Sequence, residues 1–133
     1  MKHHGNRDDV IDYWIGKSTE SLESADDELK AGRLSFAVNR IYYSCFYIVS
    51  ALLLQNNLKF RKHSGIRAAF HRNFIKPGIL NREHGLLYDE LFEARQRGDY
   101  LELVSFEKGQ VEDWLEQAEG FIESVNSLIG KNE

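Results

Sequence analysis

Apolar and polar residues alternate with a helical period along most of this chain. From residue 8 to residue 31, apolar side chains recur at steps of three and four with acidic residues on the opposite face, and Gly32 is placed to end the helix. Residues 106–129 repeat this amphipathic pattern. Residues 34–54 are apolar on nearly every side, which is typical of a helix at the centre of a bundle. These three segments are predicted to be long helices.

The middle of the chain predicts two further helices. Residues 55–64 are polar and basic, which indicates a connection, and Ser64 is placed to cap a short helix. Pro77 ends that helix because proline cannot continue the hydrogen-bond ladder. A fourth long helix is predicted over residues 83–97, closed by Gly98. Four long helices and one short helix, joined by short connections, predict an all-α, up-and-down antiparallel bundle.

Length and composition favour one small domain over residues 1–133. The chain has 42% hydrophobic residues, enough for a single packed core, and one proline, too few turn residues for a sandwich or a barrel. The N-terminus lacks the apolar stretch of a secretory signal. The longest apolar run lies within residues 45–54 and is too short to span a bilayer. We therefore expect a cytoplasmic protein without a membrane partner.

Cysteine and histidine usage argues against a metal site. Cys45 is the single cysteine, so neither an internal disulfide nor a multi-cysteine metal site can form, and a reducing compartment fits best. No pair of the three histidines in the second half of the chain has the spacing of two metal ligands on one helix turn. These residues are His63, His71 and His84. No metal and no cofactor are expected.

The net charge of −4 conceals a strongly basic segment. Residues 55–82 carry seven Lys and Arg residues and no acid, whereas residues 83–133 carry 13 acids against 4 bases. A local patch of this kind attracts polyanions whatever the overall charge. Alternatively, the basic segment pairs with the acidic helices of the same chain. The sequence leaves both interpretations open.

Two polar residues interrupt the most apolar helix. Asn39 and Arg40 need partners there, because a buried charge without compensation is strongly unfavourable. Arg40 either pairs with an acid of the first or last helix and fixes the helix register, or lies with Asn39 at a cleft edge or dimer seam and binds phosphate. Four aromatic residues follow in the same stretch: Tyr42, Tyr43, Phe46 and Tyr47. Their helical spacing favours core or dimer packing over stacking on bases.

The stretch ARQRGDY, residues 94–100, ends the fourth predicted helix. Asp99 would face the negative end of the helix dipole, which is unfavourable unless a cation compensates it, and Arg95 lies four residues earlier. The two form either a local ion pair of small energy or an arrangement in which Asp99 holds the guanidinium group of Arg95 towards phosphate.

Three stretches together resemble the HEPN domain family, in particular the small stand-alone bacterial and archaeal proteins often encoded beside a minimal nucleotidyltransferase. They are AVNRIYYSCFYI (37–48), KHSGIRAAFHRNFIKPG (62–78) and LLYDELFEARQRGDY (86–100). The resemblance covers nearly the whole chain. It implies a homodimer with a polar cleft on its two-fold axis. The expected catalytic residues are Arg95, Asp99 and Tyr100, and the expected ligand-binding residues are Asn39, Arg40, Tyr43, Lys62 and His63.

Many members of the family are metal-independent ribonucleases, often toxins, in which an arginine is followed after four to six residues by a histidine. This chain departs from that pattern, because no histidine follows Arg95 or Arg97 at that spacing. Tyr100 occupies one such position, and a tyrosine with a pKa of about 10 is a poor general base. Asp99 would need a raised pKa, whereas a neighbouring Arg95 lowers it.

Three functions stay open. The first is a dimeric module, without catalysis or with weak catalysis, that binds RNA, a nucleotide or a nucleotidyltransferase partner in a toxin-antitoxin-like system; Tyr100 could then accept a nucleotidyl group. The second is a ribonuclease toxin that uses Arg95 with Asp99 or Tyr100, or with His63 from elsewhere in the dimer. The third is a structural subunit without a ligand.

Overall fold

The computed structural model describes residues 5–100 and 105–130. These ranges contain five α-helices and no strand, so the prediction of an all-α bundle with four long helices and one short helix is confirmed. The helices are α1 (Gly5–Lys30), α2 (Leu34–Gln55), α3 (His63–Phe70), α4 (Arg82–Tyr100) and α5 (Lys108–Asn126). A π-helical segment, His71–Ile75, continues α3 directly.

Two glycines predicted to end helices behave differently. Gly32 ends α1 as predicted, because it takes a left-handed φ of 82° that a side chain would disfavour. Gly98 does not end α4, which continues to Tyr100. At Gly98 the missing side chain makes room for the ring of Phe106, whose Cε2 would lie 3.1 Å from an added Cβ. This glycine therefore serves packing, and its prediction as a helix end was wrong.

The start of α3 also differs from its prediction. The helix begins at His63, and its N-cap residue is Lys62 in an extended conformation rather than Ser64. No side chain caps this end. The helix therefore starts two residues earlier than predicted, and His63 is its first residue.

Helices α1 and α2 pack closely along their length because small residues line the contact. Ser18 and Ser21 are buried in α1, and Ala25 one turn later is fully buried. The Ser18 hydroxyl donates to the Ser44 carbonyl at 2.7 Å, and the Ser21 hydroxyl donates to the Arg40 carbonyl at 2.8 Å. Each buried hydroxyl is thus satisfied by the backbone of α2, which fixes the register of the pair.

Helix α2 is the central element, with α1, α4 and α5 packed around it. By length and composition alone, the whole helix Leu34–Gln55 is apolar enough to cross a membrane. Two thirds of this stretch is buried inside the bundle, as in the core helix of a globular protein. Phe36, 53% exposed, is the one large apolar residue of α2 that faces solvent. The neighbouring helices therefore cover most of the apolar surface from which a dimer was predicted, and the dimer stays a prediction.

We expect Ser18→Leu to destabilise the fold by about 1–3 kcal/mol, because a larger side chain overfills the contact and the hydrogen bond to α2 is lost. The measurement is urea unfolding followed by circular dichroism. Thr19→Leu is the matched control, since Thr19 is an exposed neighbour on the same helix and should change stability by less than about 0.5 kcal/mol. Equal stability of the two variants would contradict the packing argument.

Candidate functional site

Three helices bring a group of aromatic and basic side chains together on one side of the bundle. Helix α2 contributes aromatic rings, the first residue of α3 contributes an imidazole, and α4 contributes a guanidinium group. We call this group the Arg95 cluster. Its members are Tyr42, Tyr43, Phe46, His63 and Arg95.

Arg95 is half-buried against two tyrosine rings. Its Cζ atom lies 4.8 Å from the ring centroid of Tyr42 and 5.8 Å from that of Tyr43. Both distances fall within the range of a cation-π interaction, which favours a guanidinium group over an aromatic face. The two tyrosines thus hold the charged end of Arg95 at the surface of α2.

His63 is held by α2 through a hydrogen bond and a stacked ring. The Tyr42 hydroxyl lies 2.9 Å from His63 Nδ1, and the imidazole stacks on Phe46 with ring centroids 4.2 Å apart. Tyr42 has no exposed surface, and its hydroxyl also interacts with the Tyr88 hydroxyl and with Arg95. If the Tyr42 hydroxyl donates to Nδ1, the proton of a neutral His63 lies on Nε2, and the other tautomer reverses this hydrogen bond.

Burial and the charge of Arg95 determine the protonation of this cluster. Burial, and then the positive charge of Arg95, lower the pKa of His63. Burial raises the pKa of Tyr42 to about 12, although the Tyr88 hydroxyl and Arg95 act in the opposite direction. At neutral pH both Tyr42 and His63 are uncharged. Arg95 is then the charged group of the cluster.

Asn39, Arg40 and Tyr43 line a smaller cleft of about 360 Å³ between α1 and α2. Arg40 donates from Nε to Ser24 Oγ at 3.2 Å and from NH1 to Asn39 Oδ1 at 2.8 Å. No acid forms an ion pair with Arg40 in the part of the chain that the structure describes, so the cleft-edge interpretation fits better than a register-fixing ion pair. Tyr43 links this cleft to the Arg95 cluster, because its ring contacts both.

The basic segment faces solvent instead of the acidic helices. One Lys or Arg side chain of residues 55–82 forms an ion pair with an acid among the described residues. It is Arg67, whose NH1 lies 3.5 Å from Asp89 Oδ1. The other Lys and Arg side chains of the segment are exposed. Lys62, predicted to bind a ligand, is one of them and directly precedes His63. Pairing with the chain's own acids therefore compensates the charge of one Lys or Arg residue of the segment, Arg67.

Sequence reasoning missed a second polar group on α3 and α4. His71 Nε2 lies 3.0 Å from Asp89 Oδ1, beside the ion pair of Arg67 with the same carboxylate. Arg67 also lies over the ring of Phe92 at 4.1 Å. Gly85 makes room for the imidazole, since an added Cβ would lie 2.8 Å from His71 Cε1. The spacing of His63, Arg67 and His71 at four-residue steps was the available signal, because it places them on one face of the helix.

The remaining predicted residues are Asp99 and Tyr100. Both belong to the last turn of α4, but their side chains lie outside the described residues, so the predicted contact between Arg95 and Asp99 stays a prediction. Within residues 5–100 and 105–130, no group of three His, Cys, Asp or Glu side chains is arranged to hold a metal ion. Cys45 is fully buried, and burial raises the pKa of its thiol to about 12, which suppresses its reactivity.

Comparisons with known proteins identify the family to which this chain belongs. The family model described as "HEPN domain" matches residues 11–128, which include the whole Arg95 cluster. A "UPF0332 protein" of Thermotoga maritima is 50% identical over 123 residues, 92% of this chain and 93% of that protein. A Methanocaldococcus jannaschii protein named "Putative toxin MJ0142" is 36% identical over 123 residues, 92% of this chain and 84% of that protein. A second M. jannaschii protein, "Putative toxin MJ0605", is 28% identical and covers 81% of this chain.

We expect stability to fall as the pH drops below about 6.5, because burial lowers the pKa values of His63 and His84 in the folded chain. The unfolded chain then binds protons at these positions before the folded chain does. The stabilisation is complete above the unfolded pKa and is lost as the pH falls towards the folded pKa values. Thermal melts between about pH 8 and pH 5 measure this dependence.

The control for the pH dependence is the double variant His63→Gln and His84→Gln, in which neither side chain titrates. Its Tm should fall less steeply over the same pH range than that of the parent. Identical slopes for parent and variant would show that other groups cause the dependence.

Proposed function

Because this chain belongs to the HEPN family, we propose that it is a HEPN module that binds single-stranded RNA through the Arg95 cluster. The observation that carries the proposal is the position of Arg95 and His63 within one chain. The guanidinium group rests on Tyr42 and Tyr43, and the imidazole beside it is uncharged at neutral pH. A planar guanidinium fork and a nearby N–H donor suit the oxygens of a phosphodiester.

The surroundings of the cluster favour a strand with unpaired bases. Tyr43 and Phe46 are half-buried at its edge, and aromatic faces can stack on bases without regard to sequence. The exposed Lys and Arg side chains of residues 55–82 supply a positive field beside these rings. The cleft with Asn39 and Arg40 continues the polar surface past Tyr43. The resemblance to HEPN ribonucleases favours RNA over DNA as the ligand.

A metal-independent ribonuclease that acts as a toxin is the second candidate, and two relatives are named as putative toxins. It is favoured by His63, which α3 brings towards Arg95 although no histidine follows Arg95 in α4. The hydrogen bond with Tyr42 argues against it when the tyrosine is the donor, because Nδ1 then accepts the tyrosine proton and Nε2 carries its own, which leaves no bare nitrogen for a general base. The lowered pKa of His63 also reduces the population of the imidazolium form that would act as an acid.

We expect Arg95→Ala to weaken binding of a fluorescein-labelled single-stranded RNA about tenfold to a hundredfold, the loss typical of one charge-assisted hydrogen bond. Fluorescence anisotropy measures the Kd, and thermal melts check that the variant is folded. Arg95→Lys should not restore affinity, because an ammonium group lacks the planar fork. Lys108→Ala, which removes an exposed positive charge outside the basic segment, is the matched control. Parent affinity in Arg95→Ala would rule out the cluster as the RNA site.

The same preparation separates binding from cleavage. As a binding module, the purified parent should leave RNA intact in the presence of a chelator over hours. RNA cleavage that disappears in His63→Ala, with fold and RNA affinity preserved, would make the ribonuclease the correct function. In that case Tyr42→Phe should change the pH profile of the rate, because it releases Nδ1 and lets His63 exchange its tautomers.

The family resemblance also implies a homodimer and a nucleotidyltransferase partner, and we include both in the proposal. Sedimentation equilibrium at micromolar concentration should give twice the mass of 15.4 kDa. A monomer under these conditions would exclude a ligand cleft shared across a two-fold axis, and RNA binding would then have to occur on one chain.

A further inference from the structure

A groove of about 660 Å³ lies beside the Arg95 cluster, between α1, α2 and the connection that follows α2. Its walls are mainly apolar and include the rings of Trp14 and Phe46. Three exposed cations, Arg7, Lys59 and Arg61, also line it, and no acid does so among the described residues. The volume lies in the range of small-ligand sites, and apolar walls with cations fit a ligand that joins a flat ring to an anion.

The groove and the Arg95 cluster share a wall. Phe46 lines the groove and at the same time stacks on the imidazole of His63 at 4.2 Å. Arg61, on the groove, precedes His63 by two residues. A strand whose phosphate contacts Arg95 and His63 therefore has the groove directly beside it, at the distance of one aromatic ring.

Specific contacts hold the walls in place before any ligand arrives. Asn57 turns the chain after α2 with a left-handed φ of 61°, and the guanidinium group of Arg7 donates to its side-chain carbonyl. Phe60 lies against Gly65, where an added Cβ would be 3.3 Å from Phe60 Cδ1. A preformed groove loses little conformational freedom when a ligand binds, which favours affinity.

We propose that this groove binds one nucleotide of the RNA strand, with the base on the aromatic wall and the adjoining phosphate near Arg61 and Lys59. The inference rests on the proposed function, because it extends the RNA path from the Arg95 cluster. An acidic amphipathic helix would also match apolar walls and cations. The ring of Phe46, which belongs to both the groove and the Arg95 cluster, favours the nucleotide. An RNA strand needs a base site that adjoins a phosphate site, whereas a bound helix does not.

The chain contains its own probe for this groove. It has two tryptophans, and Trp14 lines the groove whereas Trp114 is buried and donates to Glu90 from its indole nitrogen. In the variant Trp114→Phe, fluorescence therefore reports on Trp14 alone. Adenosine 5′-monophosphate and an oligoadenylate RNA should both quench this fluorescence in a saturable manner, and adenosine, which lacks the phosphate, should quench it more weakly.

Two further variants test the groove in the chain that keeps Trp114. Their result does not depend on whether Trp114→Phe lowers the stability of the fold. Phe60→Ala removes an aromatic wall that is 40% exposed, and Arg61→Gln removes an exposed charge. Each should weaken binding of labelled oligoadenylate about fivefold or more. Lys108→Gln removes an exposed positive charge outside both the groove and the basic segment, and it should change the Kd by less than about twofold.

The outcomes distinguish this inference from the proposed function. If the RNA binds in an Arg95-dependent manner but Phe60→Ala and Arg61→Gln bind like the parent, the groove is not a nucleotide site, and the Arg95 cluster remains one. If RNA binding is absent, the proposed function fails, and a lack of quenching by adenosine 5′-monophosphate overturns the groove as well. If Phe60→Ala instead lowers the mass measured by sedimentation, the groove is an interface between copies of the chain, which also overturns the proposal.

Discussion

The contacts of one buried tyrosine determine the candidate site. Tyr42 has no exposed surface, yet its ring lies under the guanidinium group of Arg95 and its hydroxyl reaches the ring nitrogen of His63. It also packs against Tyr88 and Phe92 of α4. One side chain at the centre of α2 thus connects the core to two polar groups at the surface. Because Tyr42 is fixed by core packing, the two groups it contacts are positioned by the fold as a whole rather than by a flexible loop.

The distribution of charge supports the same site. An acidic chain could neutralise its basic segment internally, but the fold pairs Arg67 with Asp89 and leaves the other cations of residues 55–82 exposed to solvent. Most acids of the described residues lie instead on α1 and α5. The basic part is formed by α3 and its flanking connections, so the two kinds of charge lie on different elements. A polyanion therefore meets a positive surface although the net charge is −4.

The architecture was predictable from the sequence because each helix has a strong period. The apolar run of α2 exceeds the length of a strand, and its position at the centre follows from the lack of a polar face. Glycines were less informative. Gly32 and Gly98 look alike in sequence, but only Gly32 takes the left-handed conformation, whereas Gly98 accommodates the ring of Phe106 from beyond the helix. Which of the two roles a glycine has depends on residues that are distant in sequence.

The site itself was only partly predictable for the same reason. Arg95, His63 and Tyr43 were each selected from motifs, but nothing in the motifs gave the contacts of His63 with Phe46 and Tyr42, because 17 and 21 residues separate the partners. Asn39 and Arg40 were expected to need partners, and the partners turned out to be Ser24 and each other rather than an acid. The contact between His71 and Asp89 was not predicted, because it forms only where the π-helical segment after α3 packs against α4.

The proton on His63 is the point at which binding and cleavage would diverge on this scaffold. Arg95 can stabilise phosphate charge in either function, so it does not discriminate between them. A cutting site needs an imidazole nitrogen that accepts a proton from a ribose hydroxyl. When the Tyr42 hydroxyl donates to Nδ1, His63 carries its proton on Nε2 and offers a donor to phosphate. When the hydroxyl rotates and His63 takes the other tautomer, Nδ1 donates to Tyr42 and Nε2 becomes the bare nitrogen that a base needs. The tautomer of His63 beside Tyr42 therefore decides between a phosphate clamp and a base.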